Sequence, residues 1–178
     1  HALDELAEVP LGGTAVGTGI NAHPEFATRV CRRLAELTHI PVHETSNHFQ
    51  AQSTLNALVE ASGTMNTIAV SMMKIANDVR WLGSGPRSGI AEIALPEVQP
   101  GSSIMPGKVN PVICESMIQV AVRVIAIDAA ITYGGFGGVG SILELNVAMP
   151  VMAEAMTESI DLLANVSNVF VEKLLNGL

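Results

Sequence analysis

Aromatic residues are scarce in this chain: one Trp, one Tyr and four Phe make up 3% of its 178 residues. A β-sheet core usually relies on aromatic and β-branched side chains throughout, so this scarcity argues against a sheet protein. The 48% hydrophobic content is instead rich in Ala, Val, Ile, Leu and Met. Such side chains suit helices packed on helices, and the length allows one domain with a sizeable core. The composition predicts an all-α fold.

Positive charge is also scarce, since nine Lys and Arg stand against 17 Asp and Glu and give a net charge of −8. Nucleic-acid binding needs a basic face, which this balance does not provide. The sequence has neither the long uncharged apolar run of a membrane span nor a secretory signal at its start. Its two cysteines, Cys31 and Cys114, are far apart and indicate reduced thiols that act as small apolar fillers. These features predict a soluble, cytoplasmic protein that binds neither nucleic acid nor membrane.

Helical periodicity covers most of the chain. It predicts helices over 2–9, 24–38, 47–82, 111–133 and 143–175, the last with a kink near Pro150. In 47–82, small and apolar residues recur in four- and three-residue steps from Ala51 to Val79, which is typical of one face of a bundle helix. Such a helix would be about 50 Å long, whereas a globule of this size is only about 40 Å across. The pattern therefore predicts a long-helix bundle that associates with other chains.

The segment GSSIMPGKVNP at 101–111 has the composition of a loop suited to an anion. Its glycines let the backbone turn successive N–H groups toward one point. Asn110 and Pro111 have the residue types of a helix cap and first turn, so a helix is predicted to point its positive end at the loop. Lys108 adds a full charge, and Ser102 and Ser103 add hydroxyls. An ordinary capped connector has a similar composition, so the pattern alone leaves both interpretations open.

This undecapeptide resembles the signature of the fumarase/aspartase superfamily, whose members eliminate a group β to a carboxylate and release fumarate. Two other stretches resemble class II fumarases, namely LGGTAVGTGIN at 11–21 and ELNV at 144–147. Aspartases usually carry Ala at the position of Gly107 and differ near Gly13, so both positions favour a fumarase. The glycines of 12–19 are too many for a helix, and we predict a tight loop there whose threonine hydroxyls can bond backbone groups.

The resemblance implies roles for six residues. Ser102 would be the catalytic base in its alkoxide form, and Glu115 would orient and charge a histidine that activates water. The implied substrate-binding residues are Ser103, Lys108, Val109 and Asn110, of which Lys108 and Asn110 would hold a carboxylate. Glu115 also has a simpler interpretation, because a carboxylate in the first turn of a helix complements the helix dipole. The family uses no metal and no other cofactor for this reaction.

The resemblance also implies an architecture. Residues 1–178 correspond to most of the central helical domain of the superfamily, and we expect the N-terminal domain, the first part of the central domain and the C-terminal domain to be absent. The partner histidine of Glu115 belongs to an upstream segment, and none of the five histidines here has its context. The family forms homotetramers in which three subunits share each site, so the chain would be inactive alone toward fumarate or malate. Ammonia elimination by an aspartase-like lyase and a non-catalytic helical assembly module remain alternative functions.

Overall fold

The computed structural model describes all of residues 1–178, and helices dominate it. The α-helices are α1 Ala2–Ala7, α2 Phe26–Thr38, α3 His48–Ser53, α4 Asn56–Leu82, α5 Val112–Gly134 and α6 Met149–Lys173. A short 3-10 helix follows at Leu175–Gly177. The predicted all-α class is confirmed. No helix has both the length and the apolar character needed to cross a membrane.

Four short strands accompany the helices. They are β1 Glu8–Val9, β2 His43–Glu44, β3 Ser141–Ile142 and β4 Leu145–Asn146. β1 pairs in parallel with β2, and β3 pairs antiparallel with β4. The helix predicted over 2–9 is therefore wrong at its end, because Glu8 and Val9 pair with a strand that lies far along the sequence.

The helix predicted over 47–82 is two helices, α3 and α4, separated by Thr54 and Leu55. Thr54 is extended, and its hydroxyl donates to the carbonyl of Gln50 at 3.1 Å. Its φ of −132° and ψ of 158° lie in the extended region, so the helix cannot continue through this residue. The 27 residues of α4 span about 40 Å, so the predicted length of about 50 Å is wrong. Helix length therefore gives no independent argument for association.

The last helix begins at Met149 rather than at 143, because residues 141–146 form the hairpin of β3 and β4. Leu143 at the turn has a φ of 51°, a left-handed conformation that a helix cannot continue. Pro150 is then the second residue of α6, where its missing N–H costs no helical hydrogen bond. The kink predicted at Pro150 is therefore wrong.

The chain divides into two compact units. The first comprises residues 1–64 and 128–156, and α2 packs against β2 within it. Ser62 is buried in this unit and donates its hydroxyl to Oδ1 of Asp128 at 2.6 Å. A polar pair inside the unit thus joins two segments that are distant in sequence.

The second unit comprises residues 65–127 and 157–178. Parts of α4, α5 and α6 pack together there, in clusters that include Ala69 with Val124 and Ala76 with Phe170. Ala69 and Ala76 are fully buried and lie on the face of α4 that the periodicity predicts. Small side chains on that face let neighbouring helices approach closely, so the predicted stripe is confirmed in this unit.

Candidate active site

The loop at 101–111 is closed on itself by backbone hydrogen bonds. The N–H of Gly101 donates to the carbonyl of Lys108 at 2.9 Å, and the N–H of Lys108 donates to the carbonyl of Met105 at 3.2 Å. Gly107 allows this turn with a φ of 77°, a conformation that favours glycine. A Cβ placed on Gly101 would lie 3.3 Å from Cγ of Asn110, so the Asn110 side chain also approaches the closure. The closure thus brings the two ends of this loop together.

Ser102 follows the closure directly and is half-buried. Its Oγ accepts a hydrogen bond from the backbone N–H of Ile104 at 3.3 Å. A donor directed at this oxygen would stabilise negative charge there more than a neutral hydroxyl, since hydrogen bonds to charged acceptors are stronger. The loop therefore directs one backbone donor at the oxygen of Ser102.

The other predicted residues of the loop differ in exposure. Ser103, Lys108 and Val109 are exposed, whereas Asn110 is half-buried. Lys108 forms no ion pair, because no carboxylate oxygen lies within 4.0 Å of its ammonium group. Its charge is therefore available to an anion from outside the chain.

Helix α5 begins one residue later than predicted. The N–H of Glu115 donates to the carbonyl of Pro111 at 3.0 Å, so Pro111 rather than Asn110 occupies the cap position. The predicted cap is wrong by one residue because the carbonyl of Asn110 already accepts the N–H of Val112 at 2.9 Å in a tight turn. The positive end of the helix nevertheless lies next to the loop in the chain.

Glu115 is half-buried in the first turn of α5 and lines a cavity of about 450 Å³ together with Ser116 and Gln119. Arg123 also lines this cavity, and Glu158 holds its guanidinium through Nε at 2.8 Å and a second nitrogen at 3.1 Å. This fork lowers the pKa of the Glu158 carboxyl and raises that of Arg123. No hydrogen bond joins Ser102 to Glu115.

Glu115 lines this cavity, and no side chain in the chain bonds to its carboxylate. The carboxylate is therefore accessible from the cavity to a group from elsewhere.

The two other stretches with a family resemblance meet in the first unit. Gln52 donates its amide to the carbonyls of Thr14 at 2.9 Å and Ala15 at 3.4 Å, inside the glycine-rich loop. Asn146, from the ELNV stretch, donates its amide to the carbonyl of Gln52 at 3.1 Å. Gln52 thus fixes the loop by a contact that the sequence did not indicate, while the hydroxyls of Thr14 and Thr18 make no hydrogen bond. A glutamine within a helical pattern gives no local signal for this role.

Metal-binding groups are not assembled in the chain. No three side chains among His, Cys, Asp and Glu are arranged to hold an ion. The loop at 101–111 itself contains two serine hydroxyls, an ammonium group, an amide and backbone N–H groups.

Known proteins have sequences similar to this one. The pattern of a family described as lyase matches residues 1–126. Class II fumarate hydratase of Mycobacterium tuberculosis strain H37Rv is 54% identical over 177 residues, which are 99% of this chain and 37% of that protein. The enzyme of the same name from Neisseria meningitidis is 50% identical over 99% of this chain and 38% of its own length. The chain thus spans little more than a third of the curated relatives it matches.

Solved structures share the fold. A class II fumarase from Schistosoma mansoni superposes with a TM-score of 0.88 at 33% identity, over 97% of this chain and 39% of that one. A fumarate lyase:delta crystallin from Brucella melitensis, bound to cobalt, superposes with a TM-score of 0.89 at 44% identity, over 98% of this chain and 38% of that one. The resemblance predicted from the three motifs is confirmed by these matches.

Proposed function

Because the chain belongs to the lyase family, we propose that it supplies part of the active site of a fumarate hydratase, which interconverts fumarate and malate. Two relatives that align with 99% of this chain are named class II fumarate hydratase. We propose further that residues 1–178 correspond to most of the central helical domain of those relatives, of which the chain covers about 37%.

The reaction requires a base and a stabilised carbanion. In dehydration, the alkoxide of Ser102 takes the proton from the malate carbon next to a carboxylate, and the electron pair left behind spreads onto that carboxylate. The hydroxyl group on the neighbouring carbon then takes a proton from an imidazolium group and leaves as water. Hydration runs through the same steps in reverse. Lowering the barrier depends on holding charge as it develops at the carboxylate and at the serine oxygen.

The hydrogen bond from the N–H of Ile104 to Oγ of Ser102 is the observation that carries the assignment of the base. A serine hydroxyl is a weak acid, so an alkoxide needs fixed donors and nearby positive charge. The loop provides the N–H group, the unpaired ammonium of Lys108 and the adjoining start of α5. Lys108 and the amide of Asn110 would hold the substrate carboxylate, with Ser103 and Val109 beside it.

Glu115 would act on the water side of the reaction. Its carboxylate lines an open cavity and has no hydrogen-bond partner in the chain. A carboxylate placed in this way can orient an imidazole and stabilise its charged form, which activates water. We propose that this imidazole comes from another segment or subunit, because none of the five histidines in the chain forms a hydrogen bond or an ion pair with Glu115.

A homotetramer with sites shared between subunits follows from the same proposal. Large apolar side chains on the helices of the second unit stay exposed in the single chain: Ile68 by 46%, Ile75 by 50%, Val122 by 54% and Ile160 by 51%. These side chains are available for packing against other subunits. A cytoplasmic location, without nucleic acid or membrane as partner, is supported by the acidic charge and by two free cysteines.

The test combines substrate choice with one substitution. The 178-residue chain is mixed with the remaining part of a class II fumarate hydratase, and fumarate absorbance is followed with malate and, separately, with aspartate. We expect fumarate from malate only, and loss of at least about a thousandfold in rate for Ser102→Ala with assembly unchanged. Fumarate from aspartate would favour the ammonia lyase, and stable assembly without activity would favour a purely structural module.

A further inference from the structure

A cleft in the first unit has features that the proposed hydratase reaction does not use. Its volume is about 620 Å³, within the range of sites that bind small organic molecules. Leu11, Ala22 and Phe26 provide apolar surface, and no Lys, Arg, Asp or Glu side chain lines it. The absence of charge distinguishes its chemistry from that of the Ser102 loop, which has Lys108.

Four polar side chains line the same cleft and retain hydrogen-bonding capacity. The hydroxyl of Thr14 and the amide of Asn21 have no partner in the chain. Gln52 uses its amide nitrogen on the carbonyls of Thr14 and Ala15, which leaves its Oε1 as a free acceptor. Nδ1 of His23 accepts the N–H of Glu25 at 3.2 Å, so the neutral ring carries its proton on Nε2 as a free donor. The cleft therefore presents both donors and acceptors.

The walls of the cleft are held in a fixed arrangement. Thr14 and Asn21 both have left-handed backbone conformations, with φ of 56° and 63°. Such conformations cost energy for residues other than glycine and persist where surrounding contacts impose them. Gln52 supplies those contacts at Thr14, and Asn146 in turn holds Gln52. The backbone that carries these polar side chains is thus fixed before any ligand arrives.

Phe26 is the first residue of α2, and its side chain is 47% exposed at the cleft. An exposed phenyl face next to apolar neighbours is a surface on which another aromatic ring can pack. Of the other phenylalanines, Phe49 is also exposed, at 62%, but it does not line the cleft. It therefore serves as a matched control.

We propose that this cleft binds an uncharged aromatic heterocycle of about the size of a nucleobase. Its ring packs on Phe26, and its edge bonds to the free groups of Thr14, Asn21 and His23. Charge decides the class of ligand. A dicarboxylate would lose hydration here without meeting a cation, whereas a neutral heterocycle exchanges its hydrogen bonds to water for those of the wall.

The experiment titrates the chain with adenosine and with adenosine 5′-monophosphate, which carries the same ring and a phosphate, and follows ligand protons by saturation-transfer NMR. We expect adenosine to bind and the phosphate form to bind more weakly. Phe26→Ala should weaken adenosine binding by about two- to tenfold, the range that an aromatic pair contributes. Phe49→Ala should leave it unchanged. Tighter binding of the phosphate form, or equal effects of the two phenylalanine variants, would overturn the proposal.

A second variant keeps the test decisive if Phe26→Ala disturbs folding. Ala22→Trp leaves the polar groups in place and fills the cleft with a large side chain. We expect it to abolish adenosine binding while the helical circular dichroism signal stays at the level of the unmodified chain. Retained binding in Ala22→Trp, or no saturation transfer from the unmodified chain at millimolar adenosine, would show that the cleft is not the site.

Discussion

Gly101 and Lys108 meet across the mouth of the signature loop, where the glycine N–H donates to the lysine carbonyl at 2.9 Å. A Cβ on Gly101 would lie only 2.5 Å from that carbonyl oxygen, which is backbone and cannot rotate away. The closure therefore requires a residue without a side chain. It places the serine that follows Gly101 near the ammonium-bearing residue at the other end of the loop.

Gly101→Ala should open this loop. Because the substitution separates Ser102 from Lys108, we expect hydratase activity of the assembled enzyme to fall at least about tenfold, which corresponds to 1.4 kcal/mol of lost transition-state stabilisation. The control is Gly107→Ala in the same loop, where an added Cβ meets nothing within 4 Å. That variant bears only the cost of a left-handed alanine, about 1 kcal/mol, and should retain more activity. Full activity in Gly101→Ala would contradict the role of the closure.

Ser62→Ala should destabilise the first unit. The substitution removes the hydroxyl that donates to Asp128 at 2.6 Å inside the protein. Losing a buried hydrogen bond to a carboxylate costs about 1–3 kcal/mol in the free energy of unfolding. Urea denaturation measures this directly. Ser71→Ala, on the exposed side of the same helix, should change the free energy by less than about 0.5 kcal/mol, and equal effects of the two variants would refute the prediction.

Glu8 should make stability depend on pH in the acid range. The hydrogen bond from the hydroxyl of Thr45 is the largest of the effects that lower the pKa of the Glu8 carboxyl. The N–H of Ser46 and the charge of His43 lower this pKa further, and burial opposes them. A carboxyl with a lowered pKa in the folded state stabilises the fold above its unfolded pKa of about 4.3. That contribution is lost as the pH falls through the lower folded pKa.

Glu8→Gln should therefore flatten the acid side of the stability profile. The glutamine oxygen can still accept the hydroxyl of Thr45, but it does not titrate. Urea unfolding at a series of pH values below neutrality should show a smaller loss for this variant than for the unmodified chain. Glu97→Gln removes an exposed carboxylate without an ion pair and should leave the profile unchanged. Parallel profiles for Glu8→Gln and the unmodified chain would disprove the assignment.

The two thiols should react only after unfolding. Cys31 and Cys114 are 3% and 0% exposed, and burial raises the pKa of both thiols. The thiolate is the reactive form, so a raised pKa and a closed environment both slow its attack on a disulfide reagent. We expect labelling in native buffer to be slower than in guanidinium chloride by at least about a hundredfold. Rapid labelling of either cysteine in native buffer would show that its segment opens easily.

The spacing of apolar residues correctly predicted the long helices where one helix face is buried within a single unit. The face of α4 through Ala69 and Ala76 follows from helical spacing, and both residues are fully buried. The same spacing continued through Thr54, but the backbone there is extended and ends α3, which spacing does not encode. The start of α6 was misplaced for a similar reason, because a hairpin with Leu143 in a left-handed turn replaces the predicted helical turns.

The sequence alone determined the helical class, the main helices and the membership of Ser102, Lys108 and Asn110 in one loop, because neighbours in the chain must stay close. Tertiary structure decided the pairing of Glu8 with the β2 region, the bond between Ser62 and Asp128, and the hold of Gln52 on the glycine-rich loop. These partners lie dozens of residues apart. Their contacts depend on how whole segments pack, and a polar side chain gives no local sign of a distant partner until burial forces it to find one.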